Sequence, residues 1–324
     1  MVTKDTKTAF LFPGQGAQYQ GMALDLLEAP FPEAAGVKEL FALASDIMGR
    51  DMRALLAESD GEALKRTDIS QPAITTANLA AAAFLAGRGI VPSAAAGFSL
   101  GEYAALAVSG ILSTEDCLTL VRERGKAMQE ASDRIGAGDA APGMAAVIGL
   151  APEQVEELIA RWKAEGLEAL YGANFNSPKQ VVVSGTAQAL ACAETRFKEA
   201  GARRVIRLPV AGPFHSPLMA QAAAAFAPAL EAARFNDPAI PFYSNVSGAP
   251  VGTGAEARQL ALRQITEPVR WTAEEGALAA QGNVEALLET GPGKALQSFW
   301  KDSGGVIPVY PAGTLKDIEE LAVR

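Results

Sequence analysis

The chain has 324 residues, of which 49% are hydrophobic and 20% are charged, and this composition excludes a disordered chain, a collagen-like repeat and a disulfide-stapled miniprotein. Its 28 lysines and arginines are outnumbered by 37 aspartates and glutamates, so the net charge of −9 argues against nucleic acid and anionic membranes as partners. One histidine and two cysteines, without Cys-x-x-Cys spacing, argue against a metal site.

The N-terminal residues 1–8 are polar and run directly into a strand-like segment, so we expect no signal peptide. The longest Ala-rich apolar stretch, 73–87, is too short and too polar to span a bilayer. We therefore expect a cytoplasmic protein that does not enter membranes, and a monomer is the default expectation.

The first part of the chain alternates strand-like and helix-like patterns. Pro13-Gly14 marks a turn after the first strand, and Pro72 suits the first turn of a helix. In chain order, the predicted elements are a strand over 8–12, helices over 33–48, 51–57 and 71–87, a strand over 94–96, and helices over 102–108 and 114–131.

Across residues 144–210 the spacing of apolar residues switches between strand-like and helix-like in the order β-α-β-β-α-β, which is typical of a ferredoxin-like domain. These elements are strands over 144–150, 168–175, 180–184 and 204–210, with helices over 153–165 and 187–200. Beyond them we predict strands over 240–244 and 284–289 and a helix over 255–264. We therefore predict an α/β fold in which a large domain with a mainly parallel sheet, 1–137 and 209–324, carries an inserted small domain, 138–208.

Residues Gly97-Phe98-Ser99-Leu100-Gly101 fit the G-x-S-x-G pattern between a predicted strand and a predicted helix. In that pattern the serine sits on a strained turn, the nucleophile elbow, which exposes its hydroxyl at a helix N-terminus. The Leu100 amide would then face a developing oxyanion. The pattern favours a nucleophilic Ser99 over a plain structural turn.

A serine hydroxyl needs a base, and His215 is the only imidazole in the chain. A lone histidine is more often a structural residue, but here it lies in a loop framed by Pro213 and Pro217, and an elbow serine is present. We interpret His215 as the base. The group that orients its ring stays open, because chain order singles out no acidic residue and a backbone carbonyl would serve.

A glycine-rich turn, Pro13-Gly-Gln-Gly-Ala-Gln18, follows the first strand. It lacks the G-x-G-x-x-G spacing and a Gly-Lys-Ser/Thr, so a phosphate-binding loop is disfavoured. The preferred interpretation is a tight loop whose backbone amide, such as that of Gln15, is the second oxyanion donor. A plain turn into a helix is the alternative.

Arg122 and Arg124 lie on the predicted helix after the elbow. Most helical arginines are solvated or paired with a neighbour such as Glu123. An arginine that faces a pocket would instead bind a carboxylate through two parallel hydrogen bonds and select a substrate with a free acid group. Sequence alone does not decide between these roles.

Six ordered motifs resemble those of malonyl-CoA:acyl carrier protein transacylases, and the resemblance extends from about residue 8 to about 296. The motifs are Phe12-Pro-Gly-Gln-Gly-Ala-Gln18, Gly97-Phe-Ser-Leu-Gly-Glu-Tyr103, Arg124-Gly-Lys-Ala-Met128, Asn174-Phe-Asn-Ser-Pro178, Gly212-Pro-Phe-His-Ser-Pro-Leu-Met219 and Glu289-Thr-Gly-Pro-Gly-Lys294. The resemblance implies a hydrolase-like large domain with a ferredoxin-like insertion. It also implies transfer of a malonyl group from malonyl-CoA to the phosphopantetheine thiol of an acyl carrier protein.

By resemblance, Ser99 is the acylated nucleophile and His215 its base and acid, while Arg124 binds the malonyl carboxylate. The Gln15 and Leu100 amides form the oxyanion hole. Phe98, Phe214, Met128 and Asn176 are expected at the acyl pocket, where Phe214 would crowd a substituent on the α-carbon. The reaction is ping-pong through a malonyl-serine, and no cofactor is expected.

This chain departs from the family pattern at two positions. Phe98 stands where the family usually has histidine before the nucleophile, which would alter pocket polarity and the resistance of the acyl-enzyme to water. Arg270 stands in Pro268-Val269-Arg270-Trp271, where the family often has a glutamine whose carbonyl orients the histidine. A main-chain carbonyl survives substitution, so Arg270 is expected to keep that role if it belongs to the backbone, whereas a role of the glutamine side chain would be lost.

Carrier proteins are acidic, so docking on a net acidic chain needs a local basic patch. The densest basic group is Arg203, Arg204 and Arg207, for which a solvated strand edge is the alternative. Two other functions stay open, a serine thioesterase or esterase and a non-catalytic subunit that binds carrier proteins. The sequence does not distinguish fatty acid from polyketide synthesis.

Overall fold

The computed structural model describes residues 2–135 and 141–321. The strands are β1 (Thr8–Phe12), β2 (Pro92–Gly97), β3 (Gly143–Ile148), β4 (Leu170–Ser177), β5 (Gln180–Gly185), β6 (Arg204–Arg207), β7 (Tyr243–Ser244), β8 (Ala249–Pro250), β9 (Ala286–Glu289) and β10 (Val309–Pro311). The α-helices are α1 (Leu24–Leu27), α2 (Ala34–Met48), α3 (Met52–Glu58), α4 (Thr67–Gly87), α5 (Gly101–Val108), α6 (Thr114–Ile135), α7 (Pro152–Ala164), α8 (Ala187–Glu199), α9 (Ala220–Ala232), α10 (Gly254–Arg263), α11 (Trp271–Ala280), α12 (Ala295–Asp302) and α13 (Leu315–Leu321). Short 3₁₀ turns cover Ala63–Lys65 and Pro217–Met219.

The large domain is built on a parallel sheet with the strand order β10-β9-β1-β2. All five residues of β1 are buried, because both faces of the sheet are covered, and this explains the unbroken apolar run in the sequence. Phe10 packs on one face in the core that α2, α4, α5 and α6 share. Leu11 packs on the other face with Trp271 and Trp300. The predicted α/β class with a mainly parallel sheet is confirmed.

The small domain has an antiparallel sheet with the order β4-β5-β3-β6, which with its two helices is the predicted ferredoxin-like arrangement. Side chains alternate along β3. Ala145 and Val147 pack with the hydrophobic residues of α7 and α8, whereas Met144 and Ala146 join the core of the large domain. One face of this sheet is thus covered by its own helices, and the other lies against the large domain.

A segment of the large domain extends the edge of the small sheet. The Phe175 amide donates to the Val269 carbonyl and the Val269 amide to the Ala173 carbonyl, each at 2.8 Å. These bonds tie β4 to the start of α11.

Some boundaries differ from the prediction. Helix α4 begins at Thr67 rather than at residue 71, so Pro72 lies inside it. The Thr67 amide donates to Gln129 Oε1 of α6 at 2.8 Å, and local sequence does not reveal this cap because Gln129 is distant in the chain. The predicted strand over 240–244 is reduced to β7.

The predicted domain boundary at 137/138 falls outside the described residues, and the domain limits stay predictions. In the described part of the chain, no helix is long and apolar enough to cross a membrane.

Candidate active site

Ser99 lies on a sharp turn between β2 and α5 with a backbone φ of 51°, in the left-handed region that residues other than glycine rarely adopt. Its amide donates to Asn245 Oδ1 at 2.7 Å. The turn therefore has the strained geometry expected of a nucleophile elbow, and an amide side chain from a distant segment stabilises it.

The structure brings Ser99 and His215 together, with 2.7 Å between Ser99 Oγ and His215 Nε2. On the other side of the ring, Nδ1 lies 2.8 Å from the Gln264 carbonyl oxygen, which only accepts hydrogen bonds. Nδ1 therefore carries the proton and Nε2 is free to accept one from the serine. Burial, reinforced by the positive charge of Arg124, lowers the pKa of His215 to about 4.

This low pKa predicts a pH profile. A histidine base acts only when it is neutral, so the rate of a reaction that uses His215 as its base, such as acylation of Ser99, is expected to be constant at neutral pH and to fall as the pH falls through about 4. Single-turnover acylation, measured over the range in which circular dichroism shows the protein folded, tests this. A midpoint near 6.5, the value of an ordinary histidine, would contradict the neutral, buried base.

The predicted role of Arg270 as the source of the carbonyl that orients His215 is wrong, because Gln264 supplies it. Arg270 instead bridges the two domains. Its exposed guanidinium lies 3.7 Å from Glu156 and 5.6 Å from the ring centroid of Phe175, both in the small domain. Its amide donates to the Asn245 carbonyl at 2.8 Å.

Arg124 is 1% exposed, and its Nη2 donates to Gln264 Oε1 at 3.0 Å. Its Nε has no hydrogen-bond partner, and among the described residues no carboxylate oxygen lies within 4.0 Å of the guanidinium. Arg122, in contrast, is exposed to solvent, and its Nε lies 2.8 Å from Glu123 Oε1. The Arg124 guanidinium lies 5.4 Å from the centroid of the Tyr103 ring and interacts electrostatically with buried Glu102, but no carboxylate pairs with it directly among the described residues. Burial of a charge is costly unless it is paired, so this site favours a ligand that brings a carboxylate.

The Gln15 and Leu100 amides donate no hydrogen bond to any other part of the described chain. Their loops are in contact: a β-carbon added to Gly14 would overlap the Phe98 carbonyl oxygen and lie 3.5 Å from the Leu100 nitrogen. Glycine is therefore required where the loop meets the elbow. One amide without an acceptor thus lies on the elbow and one on the loop that contacts it, and an oxyanion hole needs two such donors.

The predicted pocket residues lie in different surroundings. Met128 is buried one turn after Arg124 on α6, and Phe214 is buried beside His215. The Phe98 ring packs against Trp271 and Phe299, with centroid separations of 5.6 and 5.8 Å.

Asn176, on β4, donates to Gln180 Oε1 at 2.8 Å, and its own Oδ1 is buried without a partner. In the described chain no hydrogen bond joins it to Ser99 or His215. The pocket roles of all four predicted residues stay predictions.

The predicted docking residues Arg203, Arg204 and Arg207 are exposed at the sheet edge formed by β6. None of them forms an ion pair within the described ranges. Within those ranges, too, no group of three or more His, Cys, Asp or Glu side chains is placed to hold a metal ion.

Asn245 is the centre of a buried network that the sequence analysis missed. Beyond its bond to Ser99, its Nδ2 donates to the Gly97 carbonyl and to Glu274 Oε1, at 2.7 and 2.8 Å, and its amide donates to Glu102 Oε2 at 2.6 Å. Burial raises the pKa of Glu102 to about 7, and burial beside Glu102 raises that of Glu274 well above its usual range.

Two signals would have pointed to the missed residues. Gln264 continues the inward-facing positions of α10, Ala257, Leu260 and Ala261, and a polar residue at such a position calls for a partner. Asn245 directly follows β7, which lies beside the strand that carries the elbow. Residues after neighbouring parallel strands meet at the same sheet edge.

Comparison with known proteins agrees with this geometry. A family model described as "Acyl transferase domain" matches residues 9–304. A malonyl CoA-acyl carrier protein transacylase of Escherichia coli (strain K12) is 41% identical over 297 residues, which cover 91% of this chain and 92% of that protein.

Two solved structures are similar over 98% of this chain and 100% of theirs. One is an acyl carrier protein S-malonyltransferase from Vibrio cholerae, with a TM-score of 0.89 and 36% identity. The other is a type II PKS acyl-carrier protein in complex with its malonyl-transacylase, with a TM-score of 0.88 and 35% identity. Because these matches span the serine elbow, its histidine and both domains, the chain belongs to the malonyl CoA-acyl carrier protein transacylase family.

Proposed function

We propose that this protein transfers a malonyl group from malonyl-CoA to the phosphopantetheine thiol of an acyl carrier protein, for fatty acid or polyketide synthesis. The observation that carries the proposal is the convergence on Gln264. Its backbone carbonyl holds His215 and its side chain holds Arg124, while its Nε2 donates to the Ser99 carbonyl at 3.0 Å. A nucleophile, a base and an unpaired cation thus share one support.

In the first half-reaction, His215 Nε2 takes the proton of Ser99 Oγ as this oxygen attacks the malonyl thioester carbon. The Gln15 and Leu100 amides stabilise the tetrahedral oxyanion. The carbon–sulfur bond then breaks, and the imidazolium returns its proton to the sulfur of coenzyme A. The product is a malonyl ester on Ser99.

In the second half-reaction, the phosphopantetheine thiol gives its proton to His215 and its sulfur attacks the malonyl ester. The same two amides hold the oxyanion, and the bond between the carbonyl carbon and Ser99 Oγ breaks. His215 then returns the proton to Ser99. Every step uses groups of this chain and the two thiols, as in a ping-pong transfer.

Arg124 provides selectivity for malonyl over acetyl groups. With malonyl bound, its buried guanidinium pairs with the carboxylate; with acetyl bound, it stays unpaired. Phe214, beside the base, would further disfavour a branched α-carbon. We place the reaction in the cytoplasm, where the free thiols Cys117 and Cys192 stay reduced.

The direct test is transfer itself. Purified protein, malonyl-CoA and a holo acyl carrier protein are mixed, and the mass of the carrier protein is followed. We expect the holo carrier to gain one malonyl group, and the apo carrier, which lacks the thiol, to gain none. Release of coenzyme A without a malonylated carrier would instead indicate a thioesterase.

A charge reversal tests the docking patch. Replacing both Arg203 and Arg204 with glutamate should raise the KM for carrier protein roughly tenfold, because rim charges steer association, while acylation by malonyl-CoA stays unchanged. The matched control reverses Arg50 and Arg161, which are also exposed and form no ion pair within the described residues. Equal effects of the two double variants, or equal loss in both half-reactions, would contradict a docking role.

A further inference from the structure

Asn78, on α4, is a fully buried amide outside the groups that the mechanism uses. Its Nδ2 donates to the Pro13 carbonyl at 3.0 Å, and its Oδ1 has no partner in the described chain. The carbonyl only accepts, so the nitrogen of the amide must face Pro13. Asn78 thus holds the loop that carries Gln15, at a point two residues before it.

Gly291 lies close to both this amide and the loop. Its φ of 141° lies in the region that favours glycine, and an added β-carbon would overlap Asn78 Oδ1 and lie 2.9 Å from Pro13 Cδ. This close approach gives a physical reason for the Gly291-Pro292-Gly293 turn that follows β9.

Gln18 holds the far end of the same loop. Its Oε1 accepts from the Gly16 amide at 2.7 Å, and its Nε2 donates to the Leu64 carbonyl at 3.1 Å. Between the contacts made by Asn78 and by Gln18, the Ala17 amide donates to the Gly14 carbonyl at 3.3 Å and closes a turn. In a trans peptide the carbonyl and the next amide point in opposite directions. Because the Gly14 carbonyl points toward Ala17, the Gln15 amide points away from the inside of this turn.

We propose that Asn78 and Gln18 are positioning residues that fix the Gln15 amide in the oxyanion hole. The inference rests on the proposed function, since an oxyanion forms only if Ser99 attacks an acyl group. An amide contributes to catalysis only when it is held where charge develops, because a donor that must reorient during the reaction loses most of its effect. A loop tied at both ends meets this condition.

The test uses Asn78→Leu and Gln18→Met, which keep the approximate volume and remove the hydrogen bonds. The control is Thr76→Val on the same helix, whose buried hydroxyl has no partner to lose. Loss of a whole oxyanion donor costs about 10²–10³-fold in rate, so a loosened one should cost roughly 10- to 100-fold in single-turnover acylation. The malonyl-CoA concentration for half-maximal rate and the malonyl-to-acetyl ratio should not change, because Arg124 is untouched.

A second readout separates positioning from general damage. In the malonyl-enzyme made with ¹³C-labelled substrate, the ester carbonyl band should move to higher wavenumber in both variants, because weaker hydrogen bonds polarise the carbonyl less. Thr76→Val should match the wild type. If Asn78→Leu does not fold, Gln18→Met carries the test.

The outcomes are distinguishable. A wild-type protein that takes up no malonyl group overturns the proposed function, and this inference with it. An acylated wild type whose rate and carbonyl band are matched by folded Asn78→Leu and Gln18→Met overturns the inference alone. A slower variant that also loses the malonyl-to-acetyl preference would show a distorted pocket and would likewise overturn it.

Discussion

Replacing Ser99 with alanine is expected to lower the rate of malonyl transfer by roughly 10⁶-fold, the scale found when the serine of a serine hydrolase is removed. The physical reason is that the Ser99 hydroxyl, 2.7 Å from His215 Nε2, is the group placed to lose its proton and form the acyl bond. The measurement is the initial rate of malonyl-carrier formation, with circular dichroism to show that the variant is folded.

Ser93→Ala is the matched control, since Ser93 lies on the same strand and donates to the Thr8 carbonyl away from the elbow. It should keep the wild-type rate. A Ser99→Ala variant that retains transfer within tenfold of the wild type would show that another group carries the malonyl unit.

Replacing Arg124 with methionine should lower kcat/KM for malonyl-CoA by roughly 10²–10³-fold, because the substrate carboxylate would enter a buried site without a cation. Acetyl-CoA has no carboxylate, so its kcat/KM should change far less and the preference for malonyl should collapse. Arg122→Met, on the exposed face of the same helix, should leave both values unchanged. Equal loss for both substrates would mean that Arg124 serves the fold rather than recognition.

The elements that follow local pattern could be predicted from sequence. β1 is an unbroken apolar run between a polar segment and Pro13-Gly14, and β3 alternates because each face of its sheet meets a different core. Where a distant contact decides the outcome, prediction failed. Helix α4 starts a turn early because Gln129, 62 residues later, caps Thr67.

The candidate site divides in the same way. Ser99 and His215 follow from motif chemistry, because G-x-S-x-G describes a local turn and the chain has only one imidazole. The supports of these groups are long-range: Asn245 is 146 residues from Ser99, and Gln264 is 49 residues from His215. The resemblance of the segment Pro268-Val269-Arg270-Trp271 to the family pattern points to the Arg270 carbonyl, whereas the fold places the carbonyl of Gln264 against the His215 ring.

Arg124 shows what burial adds to a sequence. Arg124 lies two residues after Arg122 on the same helix, and the sequence alone does not decide which of the two side chains is exposed to solvent and which faces a pocket. The structure separates them, since one is exposed beside Glu123 and the other is buried with an unpartnered Nε. A buried cation with no carboxylate in direct contact favours a ligand that brings one, and this preference supports the proposed malonyl substrate.

The most direct test of the malonyl-serine is intact-protein mass spectrometry after brief mixing with malonyl-CoA, beside acetyl-CoA and the Ser99→Ala variant. We predict that the wild type gains one malonyl group, gains far less acetyl, and that Ser99→Ala gains neither. Steady release of coenzyme A without an adduct would contradict this and indicate a hydrolase, and neither adduct nor release would indicate a subunit that only binds carrier proteins.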